Sequence, residues 1–163
     1  APCWSGSAGP LTRTRTVLIE RARRRRSNRG KGWSHMDRVE RALELHHVEK
    51  PHYNCCQAVI VPFAESLGLD REAFYRVGGQ FGSGMRRGSV CGAVTGGLMA
   101  LGLLGADNQT AVEFQRRFRE QAGALDCSEL LRAAKENGEA QKPHCDRMVC
   151  TAVALVEELT AKG

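Results

Sequence analysis

Among the seven cysteines of this 163-residue chain, no two stand in a C-x-x-C spacing, and no C-x-x-C-H occurs. The second absence argues against covalently attached c-type haem. A secretory signal is missing as well. Its apolar stretch should follow the basic residues, whereas here Val17-Leu18-Ile19 precedes the run Arg21-Ala22-Arg23-Arg24-Arg25-Arg26. The cysteine count is also odd, so an intracellular thiol or metal site is expected rather than a disulfide-stapled secreted fold. No run alternates as a strand does. The glycine-rich stretch from Gly82 to Gly88 has no Lys-Ser/Thr after it and no strand before it, which argues against a phosphate loop despite Arg86-Arg87.

The stated net charge of +6 is concentrated at one end. Of 24 basic and 18 acidic residues, nine and one fall in residues 1–35, leaving 15 and 17 from Met36 on. Residues 36–163 are therefore mildly acidic, and neither nucleic acid nor an anionic membrane is an expected partner. Residues 1–35 show no hydrophobic period and read as a disordered basic leader, a non-native upstream extension. The alternative is a basic arm for RNA or a surface. Lys31-Gly32-Trp33-Ser34 can be encoded by a purine-rich ribosome-binding sequence, which places the natural start at Met36.

From Met36 the period is helical throughout. Met36, Val39, Leu43 and His46 form one stripe, and Pro51 ends that helix. Asn54 and Gln57 form a capping box for the next. Asp70 caps a short helix with Ala73, Phe74 and Val77 facing inward. Asn108 or Thr110 opens another, buried through Phe114, Phe118, Ala122 and Leu125, with Glu113 and Arg117 paired outside. Asp126 caps a helix that begins at Cys127. Pro143 announces the last, whose apolar face is Cys145, Met148, Val149, Ala152, Leu155, Val156 and Leu159. The expected fold is an all-α bundle of about six helices around a glycine-rich central helix, forming one domain over 36–163.

That central stretch, Phe81 to Gly105, turns from a glycine-rich loop into an uncharged helix. Ser89 is placed to cap it and Cys91 to lie in its first turn. Gly92 and Gly96, with Ala93 between them, make a smooth strip that lets another backbone or a cofactor approach the cysteine. The charge-free run Gly88 to Ala106 is nearly long enough to span a bilayer, but its glycine content favours a buried helix, and no membrane insertion is expected.

Cys55, Cys91, Cys127 and Cys145 each fall in the first turn of a separate expected helix. If the helices pack side by side, four thiols converge where helix N-termini favour the thiolate. Cys150 and Cys56 read as core, though Cys56 is placed to substitute for Cys55. Cys3 belongs to the leader. His52 and His144 flank two of the thiols and read as exposed loop residues rather than ligands.

Asn54-Cys55-x-Gln57-Ala58-Val59, Phe81-Gly82-x-Gly84-Met85, Cys91-Gly92-Ala93-x-x-Gly96, Asp126-Cys127 and Cys145 together resemble the C_GCAxxG_C_C family of redox-active proteins. The likeness runs from about Met36 to the C-terminus. It implies that Cys55, Cys91, Cys127 and Cys145 are the motif cysteines and that their role is redox, in proteins found fused to or near electron-transfer and transport components. It implies no substrate. Three chemistries fit. The expected one is an iron–sulfur cluster, [2Fe–2S] by preference, which would make the chain an electron-transfer protein; the other two are alternatives to it. Exchangeable disulfides without metal would make it a thiol redox protein or sensor. A zinc site would make it a non-enzymatic binding module. The expected setting is cytoplasmic, with a redox partner protein and room for a homo-oligomer sharing a cluster.

Overall fold

Seven helices of eight residues or more build most of residues 35–161, the part of the chain that the computed structural model describes. They are α1 (His35–His47), α2 (Cys55–Ser66), α3 (Arg71–Gly78), α4 (Gly92–Leu104), α5 (Asn108–Ala122), α6 (Cys127–Glu136) and α7 (Gln141–Thr160). All lie within one unit, Gly32–Gly163. Among the described residues there is no strand, only a single antiparallel bridge between Val90 and Asp126. The leader expected over 1–35 lies outside the described residues apart from His35.

Local signals set most of the helix starts. The Asn54 side chain accepts from the Gln57 amide at 3.0 Å while Gln57 returns its carbonyl to the Asn54 amide at 2.8 Å. This closes the capping box at the head of α2. Asp70 accepts from the Glu72 amide and so opens α3. Helix α5 starts at Asn108, the first of the two expected openings. Asp107, rather than Asn108 or Thr110, is the cap, and its carboxylate takes both the amide and the hydroxyl of Thr110 at 2.8 Å. A carboxylate there meets the positive end of the helix, which an amide side chain does less well.

The core is centred on a helix pair rather than on one helix. In α2 every residue from Cys56 to Ala64 is buried, and α4 buries Gly92, Ala93, Val94, Gly96, Gly97, Ala100 and Leu101 against it. A Cβ built on Gly96 would stand 2.7 Å from the Cys56 carbonyl oxygen and 2.9 Å from the Val59 Cβ. The small-residue strip therefore admits the α2 backbone itself. The next residue, Gly97, faces a different neighbour and seats the Phe114 ring of α5. Helix α7 closes the bundle through Met148, Val149, Ala152, Val153, Leu155 and Val156. The α4 helix is 13 residues long, and no helix among the described residues is long and apolar enough to cross a membrane.

Two stripes differ from expectation. In α1 the buried residues are Ala42, Leu45 and His46, whereas Leu43 is half-buried. In α3 Phe74 packs inward as expected, but Ala73 is exposed and Val77 is 56 % exposed, and Tyr75 packs inward in their place. The Tyr53 and Tyr75 rings meet edge-on at 4.9 Å, so the aromatic contact outweighs the apolar period of a helix only two turns long.

Gly96→Ala is expected to destabilise the fold by about 1–3 kcal/mol, because two backbones must separate to admit a methyl group. Gly102→Ala has open space around its Cβ and is expected to stabilise by about 0.5–1 kcal/mol through helix propensity. Urea unfolding of the two variants checks the opposite signs.

Candidate functional site

The four thiols reach one place by two devices. The first is the bridge between residues 89–91 and 125–127. The Cys91 amide donates to the Leu125 carbonyl and the Cys127 amide to the Ser89 carbonyl, each at 2.8 Å. Two cysteines far apart in sequence are thereby pinned on neighbouring segments. The second device is the absence of side chains. A Cβ on Gly92 would lie 3.2 Å from the Cys55 Cβ, and one on Gly84 would lie 2.8 Å from the Cys127 Cβ. Gly84 also has φ +60°, within a left-handed run that includes Ser83, Met85 and Arg86 and turns the chain across the site. Non-glycine residues held at positive φ cost free energy and persist only where surrounding structure fixes them. Gly82 receives the Asn54 side chain, which joins the same turn to the head of α2.

Cys55, Cys91, Cys127 and Cys145 all line a single small cavity, together with Ser83, Gly92, Leu130, Leu131, His144 and Met148. Its volume is about 10 Å³, room for roughly one water. Cys91 is 5 % exposed, and the other three are half-buried. All four are free thiols. Cys56 does not line the cavity. It lies in the core with its sulfur 3.8 Å from that of Met99, so the geometry does not offer it as a substitute for Cys55. Cys150 is also away from the cavity, half-buried on α7.

Two placements correct the expected helix starts. Cys91 is the cap residue of α4 and precedes its first turn, and the Ser89 hydroxyl donates to the Gly84 carbonyl instead of capping the helix. Helix α7 begins at Gln141, which puts Pro143 inside the first turn and Cys145 in the second. Proline is tolerated there because its missing N–H is one of those the helix leaves unpaired in any case.

The sulfurs are not uniformly acidic, contrary to expectation. Burial pushes Cys91 up to about 11, against the opposing pull of the Ala93 and Val94 amides. Burial likewise raises Cys127. Cys55 and Cys145 act on one another: the neighbouring Cys145 sulfur, with burial, pushes Cys55 up, and the Cys55 thiol holds Cys145 below its ordinary value. Cys145 is thus the one thiol of the four tuned toward the thiolate, and its partner holds the proton. Desolvation outweighs the helix termini wherever no second sulfur assists.

Three residues at the site were not assigned to it from sequence. His46 places Nε2 3.6 Å from the Cys55 sulfur and Nδ1 2.6 Å from Asp146 Oδ1. The only signal for it was its position on the α1 stripe. Asp146 follows Cys145 directly and also holds His47 at 2.8 Å. His144, expected on an exposed loop, is 4 % exposed and lines the cavity; its Nδ1 stands 3.2 Å from Glu139 and its Nε2 has no protein partner. His52 is exposed, as expected.

Among the described residues, no three His, Cys, Asp or Glu side chains stand together as they would around a metal ion. The fold and site define an all-α protein with a four-thiol cavity. The chain belongs to the family described as "Putative redox-active protein (C_GCAxxG_C_C)", which residues 53–159 match. Neither a curated protein nor a solved structure matches it.

The sulfur asymmetry predicts selective alkylation. At neutral pH, where only a thiol shifted below its ordinary value ionises appreciably, iodoacetamide should label Cys145 first, while Cys91 gains reactivity only as the pH approaches about 11. Cys55→Ala should slow Cys145 labelling by removing the proton its thiolate shares. Peptide mapping by mass spectrometry reads both outcomes.

Proposed function

We propose that the chain is a cytoplasmic thiol–disulfide redox protein in which Cys145 attacks and Cys55 resolves. The observation that carries this reading is that Cys55 and Cys145 line one cavity with the other two motif thiols, and their opposite shifts, Cys55 up and Cys145 down, agree with it. The Cys145 thiolate attacks one sulfur of a disulfide on a redox partner protein. That bond breaks, the other partner sulfur leaves as a thiolate, and a mixed disulfide forms. Cys55 then loses its proton and attacks the Cys145 sulfur, releasing the second partner thiolate. Two electrons pass to the partner, and a Cys55–Cys145 disulfide remains. Cys91 and Cys127 line the same cavity and take no covalent step here. A reducing compartment, where resting thiols stay reduced, suits this cycle.

A second reading is favoured by the number of thiols on the cavity: four thiolates could hold a [2Fe–2S] cluster or a zinc ion. Against it stands the disposition of the side chains, no three of which are grouped as ligands among the described residues.

Anaerobic purification with iron, acid-labile sulfide and zinc assays, followed by oxidation with a small-molecule disulfide and peptide mapping, separates the readings. The expected result is a colourless protein without stoichiometric metal that gains a Cys55–Cys145 cross-link, lost in Cys55→Ala and Cys145→Ala. Brown protein with iron and sulfide would select the cluster, and bound zinc the binding module.

A further inference from the structure

We propose that His46, oriented by Asp146, is the base that takes the Cys55 proton when Cys55 resolves the mixed disulfide. This rests on the thiol–disulfide reading above and assigns a residue that the motif does not contain. The three groups stand in line: the Cys55 sulfur lies 3.6 Å from His46 Nε2, and His46 Nδ1 lies 2.6 Å from Asp146 Oδ1. An ionised carboxylate can only accept, so Nδ1 carries the ring proton and Nε2 presents its lone pair to the thiol. His46 is 5 % exposed, which leaves it little else to bind, and the second Asp146 oxygen holds the exposed His47. Burial lowers the His46 pKa, keeping it neutral and able to accept.

The arrangement answers a difficulty in the cycle. While Cys145 is a thiolate, the Cys55 proton is engaged with it. Once Cys145 is tied up in the mixed disulfide, that acceptor is gone, and burial alone still holds the Cys55 thiol above its ordinary value. His46 is the remaining acceptor within reach. Transfer of the proton from sulfur to Nε2 leaves a Cys55 thiolate beside an imidazolium, whose charge Asp146 balances. The thiolate electron pair then forms the bond to the Cys145 sulfur as the partner thiolate departs. The groups that bear on the pair are Asp146, Lys142 and Cys145 from α7, His47 from α1, Cys91 at the head of α4 and Cys127 of α6. The Lys142 ammonium donates to the His46 carbonyl at 2.6 Å and adds to the preference for a neutral ring.

The test uses the full chain mixed rapidly with one equivalent of an aromatic disulfide whose thiolate is coloured. The first thiolate released reports attack by Cys145, and the second reports resolution by Cys55. In His46→Gln the ratio of the second rate to the first should fall on the order of a hundredfold, the scale of general-base catalysis. Raising the pH should recover it, because hydroxide can then take the Cys55 proton; a packing defect would not be cured by alkali. Asp146→Asn should reduce the ratio in the same direction by less, since the ring remains in place with its tautomer unfixed. An unchanged ratio in His46→Gln, with a normal second release in the unaltered chain, would overturn the base assignment alone. If the unaltered chain releases no second thiolate, or Cys55→Ala still does, the Cys55–Cys145 exchange itself fails.

Discussion

Two missing side chains hold the thiol site together. At Gly92 a methyl group would press on the Cys55 Cβ and the Cys56 amide, and at Gly84 on the Cys127 Cβ and the Ser89 backbone. Each glycine therefore sets the distance between two cysteine-bearing segments. Gly84 adds a second requirement, because its φ of +60° is one that residues with a Cβ adopt only under strain. Everything else about the cavity follows from these approaches. The bridge of residues 89–91 with 125–127 can form only if the turn before it folds back tightly, and α2 can lie along α4 only if the facing strip is bare. The glycines weaken α4 as an isolated helix, which is then held by tertiary packing rather than by propensity.

The close packing that gathers the thiols also explains why most of them resist ionisation. A helix N-terminus offers a thiolate partial positive charge and free amides, an effect of about 0.3–1 kcal/mol at exposed sites. Taking a charged sulfur out of water costs more than that when the surroundings are apolar, as Leu130, Leu131 and Met148 make them here. Cys91 shows the contest directly: two amides favour its anion and burial still prevails. Only Cys145 comes out lowered, and its advantage is a second thiol rather than a helix end. The acidity of the site is therefore a property of a pair.

Much of this was legible in the sequence because it is local. The Asn54–Gln57 capping box, the Phe114 and Phe118 stripe and the inward face of α7 each depend on residues within two turns of one another. The bare strip on α4 was equally readable, and so was its use by a second backbone. What escaped depends on distance. Nothing near His46 in sequence marks it as a partner of Asp146, 100 residues away. The Cys145 placement failed for a different reason: Pro143 reads as a helix start, yet proline fits the third helical position as well as the first, so α7 begins earlier than the proline suggests. On α3 a helix of eight residues was too short for its apolar period to override the stacking of Tyr75 on Tyr53.

In the proposed thiol–disulfide cycle, the interaction of Cys55 with Cys145 would also set the direction of electron flow. The hydrogen bond between a thiol and a thiolate exists only while both sulfurs are reduced, and a disulfide retains neither donor nor charge. Whatever that bond contributes stabilises the dithiol alone, which moves the couple toward the oxidising end. Burial acts the other way, because it penalises the Cys145 anion and leaves a neutral disulfide untouched. Cys145 is net lowered, so the bond outweighs the burial at that sulfur, and the reduced state gains on balance. On that reading the Cys55–Cys145 disulfide would take electrons readily and the dithiol would give them up reluctantly. Within the proposed cycle, reduction of the partner therefore requires a partner couple more oxidising than this pair, and the return of the chain to the dithiol has the larger driving force.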